Sequence, residues 1–195
     1  MSVRTFLALD IDEAARGALT AAGGRFPCDE SKIRWVEPAN LHVTVKFLGD
    51  VDEADTDAIC RAVAEAAAAV EPFEFGVRGL RCVPGGGKVR MVWACVHEPA
   101  GRMAKMFERI ESALEPLGFP RERRRFNPHV TLGRVRSTRN AAALREAAGQ
   151  YAETNFGDQR AEHVVTYASE LTPRGPLYTP LARPALGAPP EADDT

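Results

Sequence analysis

Apolar and polar positions along this chain switch repeatedly between alternation and a spacing of three and four, and each switch marks an element. Residues 4–9 are a short apolar run suited to a buried strand. Asp12 is placed to cap a helix over 13–23, where paired glycines stop it. Residues 33–36 read as a short strand before Pro38, and 41–48 as a longer one closed by the turn pair Gly49-Asp50. Over 52–70 the period is helical: acidic residues crowd the first turn, and Ile59, Val63, Ala66 and Val70 form the buried stripe. Two strand-like runs, 73–83 and 89–96, are joined by Pro84-Gly85-Gly86-Gly87, a hairpin by its turn chemistry. A helix over 100–117 carries Met103, Phe107, Ile110, Leu114 and Leu117 on one face, the methionines as core filler. A strand over 129–135 and an alanine-rich helix over 140–151 follow. Residues 163–171 alternate as a strand, 173–176 form a turn, and 177–181 are a last short strand. Residues 184–195, rich in Pro, Ala and acidic side chains, read as a disordered tail behind a single domain over 1–183.

Two of these strands repeat a local pattern. His42-Val43-Thr44-Val45 and His129-Val130-Thr131-Leu132 are each histidine, apolar, threonine, apolar. Side chains alternate along a strand, so each histidine shares a face with its threonine while the apolar pair turns to the core. Each half of the chain thus has a His-x-Thr strand, a helix and further strand. The economical architecture is an α+β fold of two pseudo-twofold lobes, with two mostly antiparallel sheets forming a cleft and helices on the outer faces. Two imidazoles facing one point supply a general base and a general acid. The threonine hydroxyls beside them suit a tetrahedral anion, as in-line displacement at phosphorus requires. His97 and His163 lack this context and read as structural or surface residues.

Composition and charge narrow the picture. A 195-residue chain that is 45% hydrophobic and 27% charged builds a sizeable core. No apolar run approaches a membrane span, and Asp10 and Asp12 follow the first apolar stretch too closely for a secretory signal, so a cytoplasmic protein is expected. Cys28, Cys60, Cys82 and Cys95 are scattered and read as reduced thiols. No metal site is expected, since there is no paired-histidine spacing and no carboxylate cluster beside either motif. The Gly85-Gly86-Gly87-Lys88 run lacks the spacing of a phosphate loop and leads into a strand. The net charge of −2 conceals an arginine-rich stretch over 118–139, opposed by Glu122 alone. A positive field there favours an anionic ligand, although the run 121–125 taken alone also reads as a solvated loop.

The two motifs resemble the paired H-x-[TS]-h signature of the 2H phosphoesterases, and within them the RNA 2′,3′-cyclic phosphodiesterases, also called 2′-5′ RNA ligases. Arg4-Thr5-Phe6-Leu7-Ala8-Leu9-Asp10 resembles the family's opening strand, 41–49 its first motif strand, Val92-Trp93 its mid-chain strand, and Tyr178-Thr179-Pro180-Leu181 its closing strand. The resemblance covers about residues 3–184. It implies a bilobal fold, no metal or other cofactor, and hydrolysis of RNA 2′,3′-cyclic phosphate ends to 2′-phosphates. It implies His42 as general acid, His129 as general base, and Thr44 and Thr131 on the nonbridging oxygens. It also implies that Phe47 and Arg134 stack on the terminal base. Each lies five residues after its histidine, a parity that faces away from it in a regular strand, so a bulge or strand end must re-aim both. Otherwise Phe47 is core and Arg134 a surface charge. Trp35 is left as core or rim. RNA 3′ ends or small cyclic nucleotides are the expected partners of a monomer. ATP-independent 2′-5′ joining at the same site and a non-catalytic RNA-end-binding module are the alternatives.

Overall fold

The computed structural model describes residues 1–26, 31–138, 140–173 and 175–187, with only the backbone of 31, 32, 137 and 138. Cys28, Arg139, Arg174 of the expected last turn, and residues 188–195 of the expected tail lie outside the described residues.

Among the described residues the strands are β1 (Ser2–Asp10), β2 (Ser31–Trp35), β3 (His42–Asp52), β4 (Phe73–Val83), β5 (Met91–His97), β6 (His129–Thr138), β7 (Asn155–Ala161), β8 (Val165–Thr172) and β9 (Gly175–Ala182). The α-helices among them are α1 (Glu13–Gly23), α2 (Thr56–Ala68), α3 (Arg102–Leu114) and α4 (Ala141–Gly149). The described pairings are antiparallel, and the strand order is β7-β4-β5-β6-β3-β1-β8-β9, with β2 on β6. The molecule is therefore two antiparallel halves, β9-β8-β1-β3 and β6-β5-β4-β7. Their ladders are joined at one pair, Val43 with Val130. Past that pair β3 leaves β6, and β2 takes its place from Gly133 onward. The α+β architecture read from the sequence is present, but the two sheets expected are halves of one sheet of nine described strands, continuous through the single Val43–Val130 pair.

Local signals explain most boundaries. Asp12 Oδ1 accepts from the Ala15 amide at 2.7 Å and starts α1. Asn140 does the same for α4 through the Ala143 amide at 3.0 Å. The expected stripe is buried at Ile59, Val63 and Ala66 of α2 and at Val70 just beyond its end. On α3, Met103, Phe107, Ile110 and Leu114 are buried, but Leu117 is 40% exposed because the chain tightens into a 3-10 turn over Glu115–Leu117.

Two sequence expectations are corrected and one strand is added. Gly49-Asp50 does not close the first motif strand: Gly49 takes a φ of 80°, absorbs a register shift against β1, and lets β3 run on to Asp52. Residues 155–161, with Asn, Gly, Asp and Gln, carry little strand propensity, yet they form β7 because β4 offers a free edge. The ordered chain also continues past 183. The Leu186 amide donates to Glu162 O at 2.7 Å, and the Leu186 side chain is buried in the core.

Lys46 on β3 and Glu111 on α3 are both buried and form an ion pair. Lys46 also donates to Pro120 O at 2.9 Å, and Glu111 accepts from the Glu122 amide. This network ties the first motif strand to the segment that leads into the second.

Candidate active site

The Val43–Val130 pair sets the geometry of the site. In an antiparallel ladder centred there, His42 lies across from Thr131, and Thr44 across from His129. The two motifs are thus crossed, each histidine beside the other motif's threonine. His42, Thr44 and Thr131 line one cleft of about 350 Å³ at the junction of the halves.

Both histidines are held in the same way. His42 Nδ1 lies 2.7 Å from Asn40 O, and His129 Nδ1 lies 2.8 Å from Asn127 O. A carbonyl only accepts, so Nδ1 carries the proton in each ring and donates it. Nε2 is then the nitrogen left for chemistry. The Asn-x-His spacing was visible in both motif segments, but its function depends on a backbone carbonyl that the sequence does not aim.

Their surroundings differ. His42 Nε2 lies 3.0 Å from Thr44 Oγ1. Its ring is packed between Phe6, at 5.0 Å between centroids, and the edge of Tyr178, at 5.5 Å. Burial lowers the His42 pKa, opposed by the bond to Asn40 O and the charge of Asp10, and reinforced by His129. Asp10 is itself fixed by the Tyr167 hydroxyl at 2.7 Å and Arg183 at 2.8 Å. Burial and the Asp10 carboxylate push the Tyr167 phenol up to about 12, so it remains a donor. His129 instead stacks on Trp93, with centroids 3.6 Å apart and planes 18° from parallel. Burial lowers its pKa as well, opposed by the bond to Asn127 O.

The parity problem at the fifth position is resolved by two matching bulges. On β3, Thr44 pairs with Ala8 and Lys46 with Leu7, which leaves Val45 as the extra residue. On β6, Thr131 pairs with Trp93 and Gly133 with Val92, which leaves Leu132 as the extra residue. Each bulge lies three residues after its histidine and reverses the alternation beyond it. Val45 and Lys46, and likewise Leu132 and Gly133, are consecutive buried residues. Phe47 and Arg134 therefore emerge on the cleft face, where both line the pocket. Phe47 is 62% exposed, and the expectation that it could be core is set aside.

Tyr178, Phe6 and Trp93 are site features that the sequence offered only as strand residues. Arg4 and Arg34 also line the cleft, and Trp35 stands on its wall. His97 is exposed and His163 bridges to Ala185; neither reaches the cleft. Within the arginine-rich run, Arg121 is held by Glu115 at 3.0 Å and by Ser112 at 2.6 Å. Among the described residues no group of three or more His, Cys, Asp or Glu side chains converges as a metal site. No helix among them is long and apolar enough to cross a membrane.

Two antiparallel halves that place paired His-x-Thr strands crosswise at one junction define a 2H phosphoesterase fold. The solved structure of TT0787 from Thermus thermophilus superposes with a TM-score of 0.79 at 26% identity, covering 95% of this chain and 98% of that one. Escherichia coli LigT complexed with 3′-AMP has the same fold, with a TM-score of 0.76 at 24% identity over 95% and 99% of the two chains. The family model of the 2′-5′ RNA ligase superfamily matches residues 13–166, and the chain belongs to that family. A Methanothermobacter thermautotrophicus protein named RNA 2′,3′-cyclic phosphodiesterase is 35% identical over 93% of this chain and 97% of its own length. A Methanocaldococcus jannaschii protein of the same name is 32% identical over 90% and 96%.

Proposed function

We propose that this protein hydrolyses RNA 2′,3′-cyclic phosphate ends to 2′-phosphates, without a metal, by acid and base catalysis from its two histidines. The observation that carries the reading is the Val43–Val130 pair, which brings the two motifs side by side, with His42, Thr44 and Thr131 on one cleft. The names of its relatives point to the same reaction.

In this scheme the cyclic phosphate sits between Thr44 and Thr131, whose hydroxyls donate to its nonbridging oxygens. His129 Nε2 takes a proton from water as the water oxygen bonds to phosphorus. The bond from phosphorus to O3′ breaks, and His42 Nε2 gives its proton to O3′. A 2′-phosphate and a 3′-hydroxyl result, and proton exchange with solvent resets both rings. Two features support this assignment of roles. Asp10 pairs with His42 across β1 and β3, and its charge favours the protonated ring that an acid needs. Among the described residues no carboxylate acts on His129 in this way, and its Nε2 has no hydrogen-bond partner. Phe47 and Arg134, aimed into the cleft from opposite halves, stack on the terminal base, for which each such contact contributes about 1–3 kcal/mol.

The test is to incubate EDTA-treated protein with an RNA oligonucleotide ending in a 2′,3′-cyclic phosphate and identify the product by mass and phosphatase sensitivity. Conversion to a 2′-phosphate is expected. Retained binding of the oligonucleotide without conversion would overturn the reading in favour of an RNA-end-binding module.

A further inference from the structure

The reacting phosphate is accounted for by the histidines and threonines, and Arg134 by the base. Arg34 is not. It stands on β2 directly opposite Arg134 on β6, and both side chains line the cleft. Like charges directly opposed across a ladder are destabilising. Neither guanidinium forms an ion pair with a described carboxylate, and the hydrogen bond from Arg134 to Met91 Sδ is a long one at 3.9 Å. A third guanidinium, Arg4, reaches the same cleft from β1. Arg134 and Arg4 both act on the Tyr178 phenol, partly offsetting the upward push of its burial, so the positive field extends across the cleft mouth. Arg34 reaches toward the other half as well: a Cβ added at Gly175 on β9 would lie 3.5 Å from Arg34 Nη2.

A cyclic phosphate carries one negative charge, and a field of this size is excessive for it. Because of the bulge at Leu132, Arg134 lies two ladder positions along β6 from Thr131, as Met91 does from Trp93 on β5, about 7 Å of strand. That offset places the Arg34–Arg134 pair about one nucleotide outward from the reacting phosphorus. The next anion of an RNA end in that direction is the phosphate on the 5′ side of the terminal nucleotide. A guanidinium fork matches two phosphate oxygens, and an anion between the two arginines removes their mutual repulsion. We propose that Arg34 holds the 5′ phosphate of the terminal nucleotide, beside the base on which Arg134 stacks, so that cyclic ends bearing this phosphate are preferred over an unphosphorylated nucleoside cyclic phosphate. The inference rests on the phosphodiesterase reading for the orientation of the nucleotide.

The test compares kcat/KM for adenosine 2′,3′-cyclic phosphate with that for the same molecule carrying a 5′-phosphate, in the wild type and in Arg34→Gln. The wild type is expected to prefer the 5′-phosphorylated substrate by about 10-fold or more, the scale of a charge-assisted hydrogen bond. Arg34→Gln is expected to bring that ratio close to one, and Arg34→Lys to restore part of it. A wild-type ratio near one, or a ratio unchanged in Arg34→Gln, overturns the proposal. Affinities for adenosine 2′-phosphate and adenosine 2′,5′-bisphosphate read the same subsite without turnover. Selective loss of the bisphosphate's advantage in Arg34→Gln supports it, and equal affinities in the wild type overturn it. A protein that distinguishes these two ligands but hydrolyses neither cyclic substrate would overturn the phosphodiesterase reading while leaving the phosphate subsite standing.

Discussion

The segments around His42 and His129 are near copies in sequence and in local geometry, yet they sit in different environments. Each places a histidine two residues after an asparagine whose carbonyl takes the Nδ1 proton, and each has its bulge three residues after the histidine. Around His42, however, the ring is boxed by Phe6 and Tyr178, bonded to Thr44 and faced by Asp10. Around His129 it lies flat on Trp93. The fourth positions differ too: Lys46 is buried in an ion pair, whereas Gly133 is buried because Ile33 and Trp35 cover it. A duplicated strand motif therefore reproduces ring orientation, while neighbouring elements give the two copies separate roles. In a crossed site this division is useful, since acid and base must hold their protons at different moments of one reaction.

The largest test of that division removes the rings. His42→Ala and His129→Ala are each expected to lower turnover of a cyclic-phosphate RNA end by about 10²- to 10⁴-fold. Because the two act in one step, the double variant should be little worse than either alone; additive losses would show that they act separately.

The fourth positions come next, read as stability by denaturant unfolding. Lys46→Met leaves Glu111 buried and unpaired, and should destabilise by about 3–5 kcal/mol. Gly133→Ala puts a Cβ 2.8 Å from both Ile33 Cγ2 and Trp35 Cε3, and should cost about 1–3 kcal/mol. Equal effects would mean that the two halves are supported alike at this position.

Thr44→Val and Thr131→Val each remove an oxyanion donor, and each should lower kcat by about 10²- to 10³-fold. The comparison lies in the pH profile. Thr44 bonds His42 Nε2 directly, so Thr44→Val should also move a limb of the kcat/KM profile, while Thr131→Val should leave both limbs in place.

The smallest effect is on stability against pH. Burial holds both imidazole pKa values below the ordinary 6.5. The unfolded chain then binds protons that the folded chain refuses, so stability should fall as pH drops below about 6.5 and be fully retained above it. Unfolding midpoints measured between pH 5 and 8 should show this fall, and the double variant His42→Gln/His129→Gln should flatten it. The same lowering places the bell of kcat/KM on the acid side of 6.5.

Much of this molecule was legible because its signals are local. Capping gave α1 through Asp12, period the stripe of α2, alanine content α4, and turn chemistry the β4–β5 hairpin. The repeated His-x-Thr pattern marked both motif strands, and the parity conflict at Phe47 and Arg134 meant that a bulge or strand end was needed if both were to reach the site. Strand β7 was missed because its pairing comes from the edge of β4 and not from its own residues. Leu117 was misplaced because a helical stripe cannot report where the helix tightens.

By itself, then, the sequence determined which side chains share a face, since alternation along a strand is a property of the backbone. Only the tertiary structure decided what those faces meet. The single Val43–Val130 pair crosses the two motifs, the bulges at Val45 and Leu132 turn Phe47 and Arg134 into the cleft, and Trp93 and Asp10 make two like histidines unlike. Each of these depends on register between strands distant in the chain, and register is fixed by the burial of both partners together, which neither segment encodes alone.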